Sequence, residues 1–443
     1  MENKNFISVD TSDAVNDELF EAAEKVIKEI NHKIISGKYK GYQVVNCFRP
    51  FEASEPKTIE KIKSFANLLE QEQIDYLVVI SNSTTAIQSQ ALVDLYSNVF
   101  KDKDKQKTTE ILYVSNIITT SDMIKLLAKL ENKSFAINVI SQNGKDFNTL
   151  VLFHELRALL LKKFSSDSAK KYIIITTNNN YGELFYQARD YKYSHLVILD
   201  NNHEKFFAYS PAVLLPLAVA GIDIDKYLLG AENANKKYNE ASLINNEPYR
   251  YATARFRFYK ESRIIENIFS FSKSEFSLAK LFSMVFLEVG NKAKKGINSY
   301  FWDGYEINNA FLNIVASNPV PSFNTAIINN SSIYDKNVST FSDTEDEYLN
   351  YLSNLTYNSI GKIMSNTFLE NLVNYCKTPT IKITINDLEN NEAYGWIIAF
   401  IYRAAIMFGY LMDYDPFESN GTPYMYNVEL VKNLKKKRGT NND

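Results

Sequence analysis

Short runs rich in β-branched and aromatic residues alternate with helical stretches along the first half of this chain. The runs lie at residues 76–80, 111–114, 135–140, 172–177 and 195–199. Helical periodicity fills the intervals, for example at 121–130 and 149–163. Because strands that alternate with helices pair best in parallel, the pattern predicts a doubly wound parallel α/β sheet.

Helical segments precede this sheet, and a second α/β pattern follows it. Residues 13–35 and 55–73 are predicted to be helical, as is most of the chain between Gly221 and Tyr259. Further strands are predicted at 264–271 and 380–385, further helices at 277–288 and 393–412, and a polar surface connection at 329–347. We therefore predict an N-terminal helical segment (1–74), two α/β subdomains (75–215 and 216–415) and a C-terminal arm with a basic tail (416–443).

The overall charge and the apolar run near the C-terminus limit the choice of partners. The chain has 49 Lys and Arg against 52 Asp and Glu, a net charge of -3, so no strong field favours nucleic acid or an anionic membrane. Residues 396–412 are fewer than the roughly 20 of a membrane span and include Arg403, which predicts a buried helix. The Lys-Lys-Lys-Arg run at 435–438 fits a solvated helix end, or alternatively a contact with an acidic partner.

Motifs for metals and nucleotides are missing from the sequence. Cys47 and Cys376 lie far apart and have no metal-ligand spacing. There is no Gly-x-x-x-x-Gly-Lys-Ser/Thr loop, no Gly-x-Gly-x-x-Gly run and no His-Glu-x-x-His pair. Since a basic-then-apolar signal segment is also missing, we expect a cytoplasmic protein without a metal or another cofactor.

Glycine is scarce in this chain. It occurs 14 times in 443 residues, less than half of the average usage of about 7%. Binding loops need glycine where backbone N–H groups approach an anion closely, so the shortage points at such loops. A low-GC genome, which the many Asn, Lys, Ile and Tyr residues suggest, explains the shortage equally well.

Residues 203–225 resemble a segment of the bacterial glucose-6-phosphate isomerase family. Residues 210–225 keep the apolar family pattern, whereas 203–207 read His-Glu-Lys-Phe-Phe where the family has Gly-Gly-Arg-Tyr-Ser. Similar segments follow in order along the chain, including 116–141, 286–297 and 395–417. The resemblance implies two sheets of the sugar-isomerase (SIS) type, a C-terminal helical arm and a homodimer with shared active sites.

Two loops that hold the sugar phosphate in this family are altered here. The first reads Ser-Asn-Ser-Thr-Thr at 81–85 in place of Gly-Ile-Gly-Gly-Ser, and the second reads Ser-Gln-Asn-Gly-Lys-Asp-Phe-Asn at 141–148 in place of Ser-Lys-Ser/Thr-Gly-Thr-Thr-Thr-Glu. A carboxylate within the second loop would repel a phosphate. The resemblance implies that any remaining substrate site uses Ser141, Lys145, Thr84 and Thr85.

The family's catalytic positions are only partly matched. Glu288 is in register with the catalytic base, although a lone Glu on a helix is also a common surface residue. Lys205 stands where the family has an arginine, and a lysine cannot reproduce its planar fork. Because its neighbours also differ from the family's residues, we interpret Lys205 as a surface lysine. Tyr305 stands where the family has a ring-opening histidine, and a phenol with an ordinary pKa near 10 is a poor proton shuttle at neutral pH.

The position of the family's C-terminal lysine depends on the alignment. An ungapped reading places Tyr426 there, and a reading with a short insertion places Lys432 there. We favour Lys432.

Two functions follow as hypotheses. The first is a non-catalytic relative of the isomerases that acts as a structural or interaction subunit of a protein assembly. A cytoskeletal or motility assembly is one example, although no residue points to it specifically. The second is a divergent active isomerase or a sugar-phosphate sensor that uses Glu288, Lys205 or Lys432, and the loop around Ser141 and Lys145. The losses at the loops and at the catalytic positions favour the first, since each lost group typically costs about 10² to 10⁴ in rate.

Overall fold

The computed structural model describes residues 6–13, 17–38, 41, 46–96, 109–115, 119–317, 320–331, 335–339, 351–419 and 422–440. In chain order the strands are β1 (Ile7–Asp10), β2 (Tyr76–Ile80), β3 (Glu110–Val114), β4 (Phe135–Ile140), β5 (Ile173–Thr177), β6 (Ser194–Val197), β7 (Ile265–Ser270), β8 (Asn298–Asp303), β9 (Ser322–Asn329) and β10 (Thr380–Ile385). The helices are α1 (Asp17–Ile35), α2 (Pro56–Gln71), α3 (Ser83–Leu95), α4 (Thr120–Glu131), α5 (Phe147–Lys163), α6 (Ser166–Ala169), α7 (Glu183–Tyr191), α8 (Pro211–Val219), α9 (Ile224–Lys237), α10 (Glu247–Lys260), α11 (Lys273–Gly290), α12 (Gly304–Ser317), α13 (Tyr357–Asn374), α14 (Glu392–Leu411) and α15 (Thr422–Thr440).

The chain divides into two compact units, each built around one five-stranded sheet. The first-sheet unit consists of residues 40–228 and 417–443, and the second-sheet unit consists of residues 1–39 and 229–416. The boundary lies inside α9, so this helix contributes residues to both units.

The sheet of the first-sheet unit is entirely parallel, with strand order β3-β2-β4-β5-β6. Every residue of β4 and β5 is buried, as expected for central strands covered by helices on both faces. The prediction of a doubly wound parallel sheet is therefore confirmed. The strand order reverses between β2 and β4, and in such folds a crevice opens at the carboxyl ends of the strands at this point.

The sheet of the second-sheet unit has the order β1-β10-β9-β7-β8. Strands β7 to β10 are parallel to their neighbours, whereas β1 is antiparallel to β10, with Ile7 opposite Ile385. The order of β7, β8, β9 and β10 again reverses at one point, between β7 and β9. The predicted second α/β sheet is confirmed with an added antiparallel edge.

The two units differ from the four segments predicted from the sequence. Residues 1–74 do not form a separate helical segment, because β1 and α1 lie in the second-sheet unit and α2 lies in the first. The alternating side chains of β1 explain its place: Ile7 and Val9 are buried where this strand covers the edge of β10. In the C-terminal arm, residues of α15 from 425 to 437 are mostly exposed, as expected for a solvated helix end. Of the predicted polar connection at 329–347, residues 332–334 and 340–347 lie outside the described residues.

Helix α14 is the apolar helix predicted near the C-terminus. Within the described part of the chain it is the one helix long and apolar enough to cross a membrane, with a mean hydropathy of 1.4, but 94% of that stretch is buried in the protein. Inside the second-sheet unit, the guanidinium of Arg403 donates to Asn235 Oδ1 at 3.2 Å and to Asn239 Oδ1 at 3.0 Å. The helix is therefore packed as a core element, as predicted.

Candidate functional site

The fold indicates where a ligand site would form in the first-sheet unit. The loops after β2 and β4 flank the point where the strand order reverses, and helices α3 and α5 begin directly after these loops. Ser141 and Lys145 lie in the loop after β4, and Thr84 and Thr85 lie in the first turn of α3. A helix N-terminus at such a crevice offers backbone N–H groups to an anion.

Side chains of the same unit bind at the N-terminus of α3. Asn82 caps the helix, because its Oδ1 accepts from the backbone N–H of Thr85 at 2.9 Å. The amide of Asn82 donates in turn to the carboxylate of Glu204, and the Thr85 hydroxyl lies 3.4 Å from the same oxygen of Glu204. A carboxylate of the chain thus lies beside the N-cap residue of α3.

The segment that carries Glu204 is packed into the core. Residues Glu204–Tyr209 form two short 3₁₀ turns with a kink at Phe206. Phe206 is 3% and Phe207 is 1% exposed. Gln88 of α3 holds the segment at two points, donating to Glu204 O at 2.9 Å and accepting from Phe207 N at 2.8 Å. The two aromatic rings therefore belong to the core of the first-sheet unit.

Lys205 lies on the same segment and is half-buried rather than a freely exposed surface lysine. Its Nζ donates to the main-chain oxygen of Glu418 at 3.1 Å. The neighbouring His203 ring packs 6.0 Å from Phe206 and 6.3 Å from Phe417, measured between ring centroids. The ammonium group of Lys205 thus binds the chain's own C-terminal region.

The backbone donors of the loop after β4 are also used internally. The N–H of Gly144 donates to Ser141 O at 3.2 Å. Asn143 Oδ1 accepts from Lys145 N at 2.8 Å and from the Ser141 hydroxyl at 3.1 Å. Asp146 caps α5, since its Oδ1 accepts from Thr149 N at 2.8 Å. The structure therefore brings Ser141 and Lys145 together around Asn143, with a second carboxylate at the helix terminus.

The same loop is fixed to the ends of the neighbouring strands. The Thr177 hydroxyl donates to Ser141 O at 2.6 Å, and the Asn178 amide donates to Gln142 O at 2.7 Å. The side chain of Lys145 is exposed, and its Nζ lies 5.7 Å from the centre of the Tyr181 ring. Lys145 is therefore the cation of this loop that remains accessible to a ligand.

Glu288 and Tyr305 belong to the second-sheet unit. Glu288 is half-buried near the end of α11. Tyr305 is the second residue of α12, and its hydroxyl donates to Gly361 O at 2.7 Å. Burial raises the pKa of Tyr305, and the nearby Glu275 raises it further. A phenol that is harder to ionise and is bonded to the main chain is a poor proton shuttle.

Glu275 lies at the second reversal point and was not predicted from the sequence. It lies in the first turn of α11 and accepts from Phe271 N at 3.4 Å. Burial raises its pKa to about 7, although the bonds from Phe271 and Asn329 oppose this shift. The N-cap residue of α11 is Ser272, and Glu275 follows three residues later. This spacing is the sequence signal of a capping box, and it could have indicated a carboxylate at the start of α11.

The remaining candidates lie on α15. Lys432 and Tyr426, the two alternatives for the family's C-terminal lysine, are both exposed on α15, so the choice between them stays a prediction. Within the described residues, no group of three or more His, Cys, Asp and Glu side chains is arranged to hold a metal ion.

The curated proteins most similar in sequence to this chain include several with the same name. No protein-family model matches the chain. It is 30% identical to a glucose-6-phosphate isomerase from Mycoplasmopsis pulmonis, over 97% of this chain and 99% of that protein. It is 28% identical to a glucose-6-phosphate isomerase from Clostridium perfringens, over 90% of this chain and 88% of the relative.

Solved structures support the same fold. A hypothetical protein from Thermus thermophilus superposes with a TM-score of 0.81 at 19% identity, covering 98% of this chain and 99% of the other. A glucose-6-phosphate isomerase from Chlamydia trachomatis superposes with a TM-score of 0.76 at 13% identity, covering 98% and 89%.

Proposed function

We propose, from the premise that this chain belongs to the glucose-6-phosphate isomerase family, that it is a non-catalytic member that serves as a structural or interaction subunit of a protein assembly. One observation carries the proposal: the carboxylate of Glu204 is bonded to the Asn82 amide at the N-terminus of α3. A sugar phosphate would have to displace this bound carboxylate before it could use the helix terminus.

The loop after β4 supports the same conclusion. The N–H groups of Gly144 and Lys145 in this loop, and of Thr149 in the first turn of α5, all donate to oxygens of loop residues. Binding a phosphate there would break these bonds and would place the ligand beside the negative charge of Asp146. Both changes cost free energy, because hydrogen bonds must be exchanged and like charges must approach.

The catalytic positions support it as well. An aldose-ketose isomerase needs a base, a proton donor that opens the ring and a cation at the enediolate. Lys205 is bonded to Glu418 O, and Tyr305 is bonded to Gly361 O with a raised pKa. Of these three residues, only Glu288 has the chemistry of the family's residue, and a base alone supplies a small part of the rate enhancement.

A divergent active isomerase or a sugar-phosphate sensor is the second candidate. The relatives named as isomerases, the presence of Glu288 in the family's register and the exposed cation of Lys145 favour it. A homodimer and a cytoplasmic location are further proposals that rest on the family.

We predict that the purified protein does not convert fructose 6-phosphate to glucose 6-phosphate. A coupled assay should give the same background rate for the wild type and for Glu288→Gln, since the cation and the ring-opening group are engaged elsewhere. The Glu288→Gln protein controls for a contaminating host enzyme. Turnover in the wild type that is lost in Glu288→Gln would contradict the proposal and would identify Glu288 as a working base.

A second prediction tests whether the chain's own carboxylates close the site. The double variant Glu204→Gln, Asp146→Asn keeps hydrogen-bonding groups at both helix termini but removes both charges. Isothermal titration with 6-phosphogluconate should give a dissociation constant weaker than about 1 mM for the wild type. The variant should bind 6-phosphogluconate at least tenfold more tightly, since a negative charge at a helix N-terminus contributes about 0.3–2 kcal/mol of stabilisation at each site.

The double variant Glu131→Gln, Glu155→Gln is the matched control, because it removes two exposed carboxylates elsewhere in the same unit. Equal affinities of the two double variants for 6-phosphogluconate would show that the carboxylates of Glu204 and Asp146 do not weaken its binding. Millimolar or tighter binding by the wild type itself would favour the sensor over the subunit role.

A further inference from the structure

A groove lies along one edge of the first-sheet unit, apart from the loops after β2 and β4. We call it the β6 groove. Its volume is about 1000 Å³. One wall is a face of α2, and the other is the chain from Lys192 to Val197, which includes all of β6.

The wall formed by β6 is the open edge of the sheet. Among the described residues β6 pairs only with β5. Six consecutive residues, 192–197, line the groove. A pocket above the face of a sheet would be lined by alternate residues, because side chains point to opposite faces in turn. The groove therefore runs along the strand edge, where main-chain groups are presented.

The register identifies these main-chain groups. Ile198 N donates to Thr177 O of β5 at 2.8 Å, and Leu196 has the same orientation because orientation alternates along a paired strand. The N–H and C=O groups of His195 and Val197 therefore point away from β5, toward the groove. An edge of this kind is a template for an added strand.

The side chains of the groove combine an apolar floor with a basic rim. Leu196 is 4% exposed and Ile174 is 1% exposed, and Phe65 and Leu68 of α2 are half-buried beside them. The charged residues of the rim are three lysines and one glutamate, which are Lys57, Lys61, Lys192 and Glu60.

His195 adds no charge to this rim at neutral pH. Its Nε2 lies 3.1 Å from Asn178 O. Burial lowers the pKa of His195, and the charge of Lys61 lowers it further. The excess charge of the rim is therefore positive and comes from the lysines.

We propose that the β6 groove binds an extended acidic segment of a protein partner, which adds as a strand to β6. Main-chain bonds to His195 and Val197 would hold the segment, alternate apolar side chains would fill the floor, and acidic side chains would face the lysines. A partner of this chemistry suits the interaction role proposed above, but peptide binding and turnover are measured separately, so that either proposal can fail alone.

The test begins with selection from a random peptide library displayed on phage, using the intact protein. The selected peptides should alternate acidic and apolar residues. The strongest peptide is then made with a fluorescent label and titrated by anisotropy. The double variant Lys57→Glu, Lys61→Glu should weaken binding of this peptide by about tenfold or more, since reversing two rim charges changes the binding free energy by roughly 1–2 kcal/mol.

Two controls separate strand addition from general charge attraction. Lys125→Glu, Lys162→Glu changes two exposed lysines on α4 and α5 by the same charge and should leave binding unchanged. Peptides methylated at alternate backbone nitrogens should lose binding in one register and keep it in the other, because an added strand directs only every second N–H to its neighbour.

The proposal is overturned if the selected peptides lack acidic residues, if both lysine pairs weaken binding equally, or if both methylation registers bind alike. Self-association that the Lys57→Glu, Lys61→Glu variant abolishes, without binding of the selected peptide, would also overturn it and would assign the groove to a second copy of this chain.

Discussion

Replacing Arg255 with methionine, or Glu266 with glutamine, is expected to lower the free energy of unfolding of the second-sheet unit by about 3–5 kcal/mol. Both side chains have no solvent exposure and form an ion pair. Glu266 also accepts from the hydroxyls of Ser299 at 2.6 Å and Thr325 at 2.7 Å. Each single variant leaves a buried charge without its partner, which costs more than the pair contributes.

The double variant Arg255→Met, Glu266→Gln tests this explanation. Its loss in free energy of unfolding should be smaller than the sum of the two single losses by up to about 3 kcal/mol, since neither charge remains buried alone. Both tryptophans of the chain, Trp302 and Trp396, lie in this unit, so tryptophan fluorescence in urea follows its unfolding. Additive single effects would show that the two charges do not compensate each other.

Gly230→Ala is the second change for which we expect a large effect, a destabilisation of about 3 kcal/mol or more. Gly230 lies on α9, and a Cβ at this position would be 2.1 Å from Glu392 O and 2.6 Å from Glu392 Cα. Both of these are main-chain atoms at the start of α14, so neither can rotate away. The helices would have to separate, which opens space in the core.

Gly290→Ala is the matched control for this prediction. It also adds one methyl group to a helix of the same unit, but the nearest atom, Phe408 Cε1, is 3.4 Å away. Its effect should stay within about 1 kcal/mol, the difference in helix propensity between glycine and alanine. The same fluorescence measurement compares the two. Similar stabilities of the two variants would show that the contact between α9 and α14 can relax.

Most elements with a strong pattern could be predicted from the sequence. Strands β2 and β4 are predicted at their observed bounds, because fully buried parallel strands are short, continuous apolar runs. Strands β1, β8 and β9 were not predicted. β1 has four residues, and the observed pattern of β8 mixes exposed and half-buried positions. Such strands are specified by their neighbours in the sheet rather than by their own periodicity.

The candidate site could be predicted only in part. The altered loops were recognisable as departures from a family pattern, and Asp146 was recognisable as a misplaced negative charge. The bond from Asn82 to Glu204 joins residues 122 positions apart in the sequence, so no local pattern indicates it. Glu275 lies in a local capping pattern, but its burial depends on how α11 packs in its unit.

The sequence by itself determined the family, the two parallel α/β sheets and the loss of the glycine-rich loops, because these follow from local periodicity and from residue types at fixed positions. Only the tertiary structure decided what replaced the loops. Phe206 and Phe207 became core, and the carboxylates of Glu204 and Asp146 came to lie at helix N-termini. Burial and charge pairing depend on contacts between distant residues, and these contacts exist only after the strands and helices have packed.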